Sequence, residues 1–243
     1  MGDNNEWSHY GRMTDETKAT LNHFGVFRFT PRFWKLPAVR RAAIYTDLMT
    51  SVRDVSEAAH GYQLTPMESG ADMMLWSVCR VVNPAVPTQF FASLARALSP
   101  FRTFIEPRDS LWGFTRASQY SKARSAQEVN PLTGDRSPYL ILYPFTKTAE
   151  WYLLGGETRQ GMMNEHIRIG KQYTEIKQLL LYSVGLQDQE FVVVYETHDL
   201  AGFSALVKEL RETEGRRFTK RDTPVHTGLL CPPDATESVW AGS

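Results

Sequence analysis

The residues of this chain whose types and spacing could do chemistry lie in its second half. Tyr143 and Lys147 stand four positions apart in the segment Tyr143-Pro144-Phe145-Thr146-Lys147, and Trp151, His166 and Gln178 follow. A phenol can give up an electron and a proton together, and an ammonium can anchor a neighbouring carboxylate. In isolation, an ordinary strand end with a packed ring and a solvated ammonium is the commoner reading of Tyr143 and Lys147.

His166 falls on a predicted helix over residues 157–173. Four side chains at spacings of four, three and four share one face of that helix: Met162, His166, Ile169 and Tyr173. The imidazole therefore points the same way as the apolar side chains. A hydrogen-bonded core histidine is the commoner explanation, and an axial ligand of a haem iron is the other. A ligating histidine usually donates its second ring N–H to a carboxylate or carbonyl, and Glu214, on the final predicted helix, is a candidate.

Gln178 lies on the predicted strand after this helix. Alternation along that strand puts five side chains on one face: Ile176, Gln178, Leu180, Tyr182 and Val184. The pattern predicts a buried amide among apolar neighbours. Such an amide is either a structural hydrogen-bonding group or a polar group placed over a ligand, because both of its ends need partners.

Composition and motifs exclude several other classes of function. Lys and Arg together number 27, as do Asp and Glu, so the net charge gives no reason to expect a nucleic-acid or anionic-membrane partner. No HExxH, P-loop, GxSxG or dinucleotide-binding glycine motif occurs. Cys79 and Cys231 are too few and too far apart for a disulfide scaffold or a zinc site. The start of the chain resembles no signal peptide, and no long apolar run occurs, so we expect a cytoplasmic protein without a membrane span.

The first half reads as strand, helix, strand, helix, strand. Alternating residues from His23 to Phe29 predict a strand that ends at Pro31. Apolar residues at three- and four-residue steps predict a helix over 38–60. The other predicted elements of this half are strands at 73–79 and 111–115, a helix at 87–98 and one more strand near 61–64.

The second half repeats this plan after a segment rich in Ser, Gly, Pro and charge. The turn signal in that segment is Asn130-Pro131-Leu132-Thr133-Gly134-Asp135. The predicted elements that follow are a strand at 139–145, a helix at 157–173, strands at 176–184 and 191–196, a helix at 199–213 and a last strand at 218–227.

The repeat predicts an α+β fold made of two split strand-helix-strand units. Two such sheets back to back would form an eight-stranded, barrel-like core with the helices outside. The predicted segments are an N-terminal arm at 1–20, a first half at 21–120, a connecting loop at 121–138, a second half at 139–228 and a C-terminal tail at 229–243.

Several short motifs occur in a fixed order along the second half. They are Tyr143-Pro144 with Lys147, Trp151, the helix with His166, the run from Gln178 to Gly185-Leu186 with Asp188, Tyr195-Glu196-Thr197 with Asp199-Leu200, Arg211 with Glu214, and Asp222-Thr223-Pro224 with Thr227-Gly228. As an ordered set they resemble the chlorite dismutase superfamily. The similarity covers 21–228 and is strong from 139 onward. It implies two ferredoxin-like halves forming a dimeric α+β barrel, haem in the C-terminal half, and a homo-oligomer, usually a homopentamer.

Position 178 separates two branches of this superfamily. Chlorite dismutases carry a distal Arg there, which steadies the oxychlorine intermediate, whereas coproheme decarboxylases carry Gln, as this chain does. The resemblance therefore favours a coproheme decarboxylase. It implies that peroxide oxidises the iron of bound coproheme and that a radical on Tyr143 takes a hydrogen atom from a propionate. Two rounds release carbon dioxide twice and leave the two vinyl groups of haem b.

The resemblance also implies roles for individual residues. His166 would be the axial iron ligand, and Tyr143, Lys147 and Gln178 would be catalytic. The residues expected to bind iron coproporphyrin III or haem b are His166, Lys147, Trp151, Gln178, Arg211 and Glu214. Arg211 could pair bidentately with a second carboxylate. The porphyrin and hydrogen peroxide are the implied partners.

Two alternatives stay open at the level of sequence. A chlorite dismutase or haem peroxidase is disfavoured, because Gln178 offers no positive charge to an anionic oxidant or a developing oxyanion. A haem-binding protein without turnover belongs to another class, and loss of Tyr143 or Lys147 would favour it. Two features depart from the decarboxylase branch: the interval from His166 to Gln178 is one residue shorter, and Phe145 replaces a common Met.

Overall fold

The computed structural model describes residues 19–117, 120, 125–233 and 240. The predicted arm at 1–20 lies outside the described residues except for its last two positions, as do parts of the predicted connecting loop and tail. The division of the chain into five segments therefore stays our proposal. Within the described ranges, no helix is long and apolar enough to cross a membrane.

Each half has the order strand, helix, strand, strand, helix, strand, with short additions. The first half consists of β1 (Thr20–Phe29), the short helix α1 (Pro31–Trp34), α2 (Ala38–Arg53), β2 (Ala58–Gln63), β3 (Met73–Arg80), α3 (Val86–Leu98) and β4 (Ile105–Thr115). The second half consists of β5 (Tyr139–Lys147), the short helix α4 (Ala149–Leu153), α5 (Gly156–Gly170), β6 (Lys177–Tyr182), β7 (Phe191–Thr197), α6 (Leu200–Arg211), β8 (Thr219–Arg221) and β9 (His226–Leu230).

The strands of the described residues form one antiparallel sheet that closes on itself. Their order is β7-β6-β4-β1-β3-β2-β9-β5-β8, and β7 also pairs with β5. The strands other than β8 therefore form a closed eight-stranded barrel. In each half the first and third strands are central, which is the arrangement of a ferredoxin-like unit. The predicted fold class, two ferredoxin-like halves in an α+β barrel with outer helices, is confirmed.

The core has an inner layer and two outer layers. The barrel interior is filled by side chains from both halves, among them Phe24, Trp76 and Leu181. Outside the barrel, α2 and α3 cover the first half above a large cluster that includes Tyr45 and Leu48. The helices α5 and α6 cover the second half above a smaller cluster: Ile141, Ile169, Ile176, Val193, Tyr195 and Leu206. The outer layer of the second half is thus the less completely filled one.

Several predicted element boundaries are wrong. The strand predicted at 111–115 already begins at Ile105. The helix predicted at 38–60 ends at Arg53, because the chain from Ala58 already pairs with β3. The helix predicted at 157–173 ends at Gly170. The strand predicted at 218–227 is divided into β8 and β9, since Pro224 between them has no N–H to donate to a ladder.

Candidate active site

The outer face of the second half's sheet carries most of the predicted site. Strands β5, β7 and β6 place their side chains in three cross-strand rows: Ile141–Tyr195–Gln178, Tyr143–Val193–Leu180 and Phe145–Phe191–Tyr182. Side chains alternate along a strand, so all three rows point to the same face. Tyr143 and Gln178 therefore share one face of the sheet, with β7 between them.

Gln178 is exposed, which corrects the prediction of a buried amide. Its backbone is held on both sides, because its N–H donates to the Gln127 carbonyl at 2.7 Å and its carbonyl accepts from the Val129 N–H at 3.0 Å. Leu180 on the same face is 42% exposed. The alternation predicted the face correctly, but the apolar neighbours on it are themselves uncovered. A neutral amide thus stands beside apolar surface that a flat apolar ligand could cover.

His166 is half-buried on α5, one turn before the buried Ile169. Burial and then the positive charge of Lys147 lower the pKa of the imidazole to about 4, against an opposing effect of Glu165. The ring is therefore uncharged at neutral pH. Neither ring nitrogen has a hydrogen-bond partner among the described residues. A neutral imidazole with a free nitrogen is what ligation of a metal requires.

Glu214 does not pair with His166 within the part of the chain that the structure describes. It lies in a 3-10 turn, Glu214–Phe218, after α6 rather than on that helix. Its carboxylate accepts from the guanidinium of Arg217 at 3.3 Å, and its backbone N–H donates to the carboxylate of Glu165 at 3.3 Å. Glu214 was only a candidate partner, and the carboxylate whose charge acts on the imidazole is that of Glu165, the residue before His166.

Lys147, at the end of β5, is held by aromatic rings rather than left in water. Its Nζ lies 4.1 Å from the ring centroid of Trp151 and 5.2 Å from that of Phe145, and it donates to the Gly215 carbonyl at 3.3 Å. Burial and then the charge of Arg216 lower the pKa of the ammonium to about 8, and Glu190 opposes this. Trp151 is buried and fixes one side of this contact.

Tyr143 is a protonated phenol throughout the physiological pH range. Burial raises its pKa well above the usual value, and Tyr195 adds to this through its charge and a hydrogen bond. Asp222 raises the pKa further, whereas Arg211 lowers it. The rings of Tyr143 and Tyr195 are stacked with their centroids 6.2 Å apart. The phenol is thus fixed by a neighbouring strand and lies within the influence of two charged side chains.

A charged group beside Tyr143 was not found from the sequence. Asp222, directly after β8, binds the guanidinium of Arg216 through Oδ2, and the same oxygen lies 3.8 Å from Nη2 of Arg211. Arg211 was predicted, but Arg216 and Asp222 were not assigned a role. Their only signal in the sequence is that Asp222 belongs to a motif of the resemblance, and nothing local indicated its partners.

The structure brings together six of the seven predicted site residues. Lys147 contacts Trp151 and acts on His166 by its charge, and Arg211 acts on Tyr143 in the same way. Gln178 shares the sheet face of Tyr143. Glu214 is the exception, because its carboxylate turns to Arg217. The group places a neutral imidazole, a protonated phenol and cationic side chains near an uncovered apolar face.

Comparison with known proteins connects this arrangement to a family. The family model described as chlorite dismutase matches residues 41–231. A coproheme decarboxylase from Staphylococcus carnosus is 30% identical over 204 residues, which are 77% of this chain and 79% of that protein. A coproheme decarboxylase from Mycolicibacterium smegmatis is 26% identical over 168 residues, or 69% of this chain and 70% of that protein.

A solved structure supports the same relationship at the level of the fold. A mutant chlorite dismutase from Candidatus Nitrospira defluvii superimposes with a TM-score of 0.75 at 25% identity and covers 91% of this chain and 95% of its own. The family model spans most of the sequence, including every residue of the site described above. The chain therefore belongs to the chlorite dismutase family.

Proposed function

We propose that this protein binds an iron porphyrin with ionised carboxylates and catalyses the peroxide-dependent decarboxylation of iron coproporphyrin III to haem b. One observation carries the proposal. The Tyr143 phenol and the Lys147 ammonium lie on β5, and the neutral amide of Gln178 lies two strands away, on the same sheet face as Tyr143. Similarity to coproheme decarboxylases supports the same function.

The side chains at the site fit such a ligand. The exposed side chain of Leu180 offers apolar surface on which the porphyrin ring can lie. The neutral imidazole of His166 can bind the iron. Lys147 and Arg211 can each take a carboxylate. When bound, the iron porphyrin supplies, with peroxide, the oxidising equivalents that no protein side chain provides.

Tyr143 carries a hydrogen atom in this proposal. Its raised pKa keeps the proton on the phenol, so loss of an electron and loss of that proton occur together and leave a neutral radical. The radical recovers a hydrogen atom from a propionate side chain. The carbon radical left on that side chain then gives up one electron to the second oxidising equivalent that the iron porphyrin and peroxide would supply, and its carboxylate leaves as carbon dioxide. In each round one propionate, one peroxide and one proton give a vinyl group, carbon dioxide and two water molecules.

Lys147 and Gln178 set the conditions for that transfer. The ammonium of Lys147 holds the propionate beside Tyr143, and the surrounding rings of Trp151 and Phe145 limit where it can point. Gln178 donates hydrogen bonds without a charge. A neutral donor suits a neutral oxidant such as peroxide, and it gives an anionic oxychlorine species no counter-charge.

The decisive experiment replaces the phenol. We expect Tyr143→Phe to bind iron coproporphyrin III with affinity within about twofold of the unchanged protein, because the ring and the carboxylate ligands remain. Its decarboxylation on addition of peroxide should fall by at least about a hundredfold, because no other group holds the transferable hydrogen atom at that position. Absorbance titration gives the affinity, and porphyrin mass spectrometry gives the loss of carboxyl groups.

Tyr139→Phe is the matched control for this variant. Tyr139 begins the same strand and points to the same face, four residues away from Tyr143. It should decarboxylate coproheme at the unchanged rate. Normal turnover in Tyr143→Phe would exclude the radical role, and binding of coproheme by the unchanged protein without any decarboxylation would favour the non-catalytic alternative.

We also propose that the protein assembles as a homo-oligomer, expected to be a pentamer, and works in the cytoplasm. The assembly rests on the family relationship, and the compartment rests on the small number of cysteines, which are two, both of them buried. Light scattering of the purified protein tests the assembly, and the mass of a single chain would exclude it.

A further inference from the structure

Asp222 is an acidic residue in the middle of a site that must attract carboxylates. It follows β8, which pairs with the end of β5 at Thr146 and Lys147, so it is carried to the same end of the sheet as Lys147. Its side chain is only 19% exposed. The proposed function gives it no part, and a half-buried anion would by itself repel an anionic substrate.

The contacts of Asp222 are with two arginines. Arg216, from the 3-10 turn after α6, binds Oδ2 of Asp222 through Nη1, and Nη2 of Arg211 lies 3.8 Å from the same oxygen. No other carboxylate contacts either guanidinium among the described residues. One acidic side chain thus joins the end of α6 to the turn that follows it.

The arginine pair lies next to both reactive groups of the proposed site. The Lys147 ammonium donates to the carbonyl of Gly215, the residue before Arg216. Arg216 lowers the pKa of Lys147 by its charge, and Asp222 raises that of Tyr143. The group formed by Lys147, Arg211, Arg216 and Asp222 has three cations and one anion. Its net charge of two positive charges attracts carboxylates.

A guanidinium has five N–H donors, and the contact with Asp222 uses only part of this set. A long, flexible side chain loses rotamer freedom when it binds a ligand, and an internal carboxylate that already fixes it removes that cost beforehand. The remaining donors can then meet a substrate carboxylate in a bidentate geometry. The carboxylate of Asp222 can therefore strengthen the binding of a substrate carboxylate, because it holds the arginine that binds both.

We propose that Asp222 is a positioning residue that holds Arg216 toward the substrate carboxylates at the Tyr143–Lys147 end of the site, and that Arg216 determines the preference for the carboxylate-rich substrate over its product. This inference rests on the proposed function and names the residues behind its specificity. The carboxylates beside Tyr143 are the ones that the reaction removes. Haem b lacks them, so a contact made by Arg216 there distinguishes the two porphyrins.

The test is a double-mutant cycle on porphyrin binding without peroxide. Iron coproporphyrin III and haem b are titrated into the unchanged protein, Asp222→Asn, Arg216→Gln and the double variant, and affinities are read from absorbance. Arg216→Gln should weaken coproheme binding by about tenfold and Asp222→Asn by about fivefold, with less than about twofold change for haem b. The double variant should match Arg216→Gln alone, because Asp222 acts through Arg216.

Glu57→Gln is the control for net charge. Glu57 pairs with Arg80 in the first half, so the substitution removes one negative charge and breaks one exposed ion pair outside the site. Its affinity for both porphyrins should be unchanged. Thermal unfolding of each variant shows whether it is folded, and should Asp222→Asn fail to fold, Arg216→Lys, which keeps the charge but loses the fork, should still lose coproheme affinity selectively.

Four results would overturn the inference: tighter coproheme binding by Asp222→Asn, additive losses in the double variant, equal losses for haem b, or full affinity in Arg216→Lys. Tighter binding would mean that Asp222 only repels the substrate. Decarboxylation by the unchanged protein together with any of these results would leave the proposed function standing. If the unchanged protein does not bind coproheme, the proposed function fails and this inference fails with it.

Discussion

The residues of the site take their roles from their surroundings rather than from their types. Tyr143 and Lys147 are common at strand ends, yet burial holds the phenol in its protonated form and brings the pKa of the ammonium down to about 8. His166 is an ordinary helix residue whose burial keeps it neutral. Because of these three shifts, the groups near the apolar face are a protonated phenol, a cation whose pKa lies close to neutral pH and an uncharged imidazole.

The lowered pKa of Lys147 predicts how substrate binding depends on pH. Above about pH 8 the ammonium loses its proton, so it no longer attracts a carboxylate. We expect the coproheme affinity of the unchanged protein to fall between about pH 7 and about pH 9.5. Lys147→Arg should retain its affinity over this range, because a guanidinium stays charged. Absorbance titrations at several pH values measure both curves, and a parallel fall in the variant would assign the titration to another group.

At the scale of elements, His226 and two carboxylates form a buried ionic cluster that links the two halves of the barrel. His226 on β9 lies between Glu68, in the loop after β2, and Asp109 on β4, with ring nitrogens 3.1 and 3.3 Å from the carboxylates. Burial lowers the pKa of His226, but the hydrogen bonds to Asp109 and Glu68 outweigh it and raise the pKa to about 9. The imidazolium thus joins elements of the first half to a strand of the second.

Because the pKa of His226 is raised, the free energy of unfolding should decrease as the pH becomes alkaline. The contribution of His226 is fully present below its unfolded pKa of about 6.5 and is lost as pH rises through about 9. Near neutral pH we expect His226→Gln to lower the free energy of unfolding by about 3 kcal/mol, because two carboxylates lose their shared cation. By about pH 10 the gap to the unchanged protein should narrow. Urea unfolding at both pH values measures it, and a constant gap would contradict the assignment.

The sequence was sufficient to predict the elements where side-chain periodicity is regular. Alternation in β1 and β6 and three-to-four spacing in α2 and α5 predicted these elements and the side chains that share a face with Gln178. That Tyr143 and Gln178 share a sheet face follows from the pairing of β5, β7 and β6, which the sequence did not predict. The exposure of Gln178 was not predictable, because it depends on how far α5 and α6 cover the sheet. The pairing of Asp222 with Arg216 depends on how β8 meets β5, which no local pattern encodes.

At the scale of the whole molecule, the two halves share a topology but differ in what covers their outer faces. In the first half, Phe91 on α3 packs on Trp112 of β4 with ring centroids 5.0 Å apart, and Phe114 adds a third ring to the layer. In the second half Leu180 stays uncovered on the corresponding face. The first half is therefore packed as a structural unit, and the second half keeps the surface on which a ligand can lie.

Gly228→Ala tests whether the closed sheet makes the two halves one cooperative unit. A methyl group added at Gly228 on β9 would lie 2.8 Å from Cβ of Tyr62 on β2, at the seam where the halves meet. We expect a loss of about 1 to 3 kcal/mol in the free energy of unfolding, because Cβ of Tyr62 moves only with its backbone. Urea unfolding followed by fluorescence and circular dichroism should still show a single transition, since both seams continue the same sheet. Gly134→Ala is the control, because nothing lies within 4 Å of its added methyl group. Equal stability of the two variants would mean that the seam yields to the methyl group, and two separate transitions would mean that the halves unfold independently.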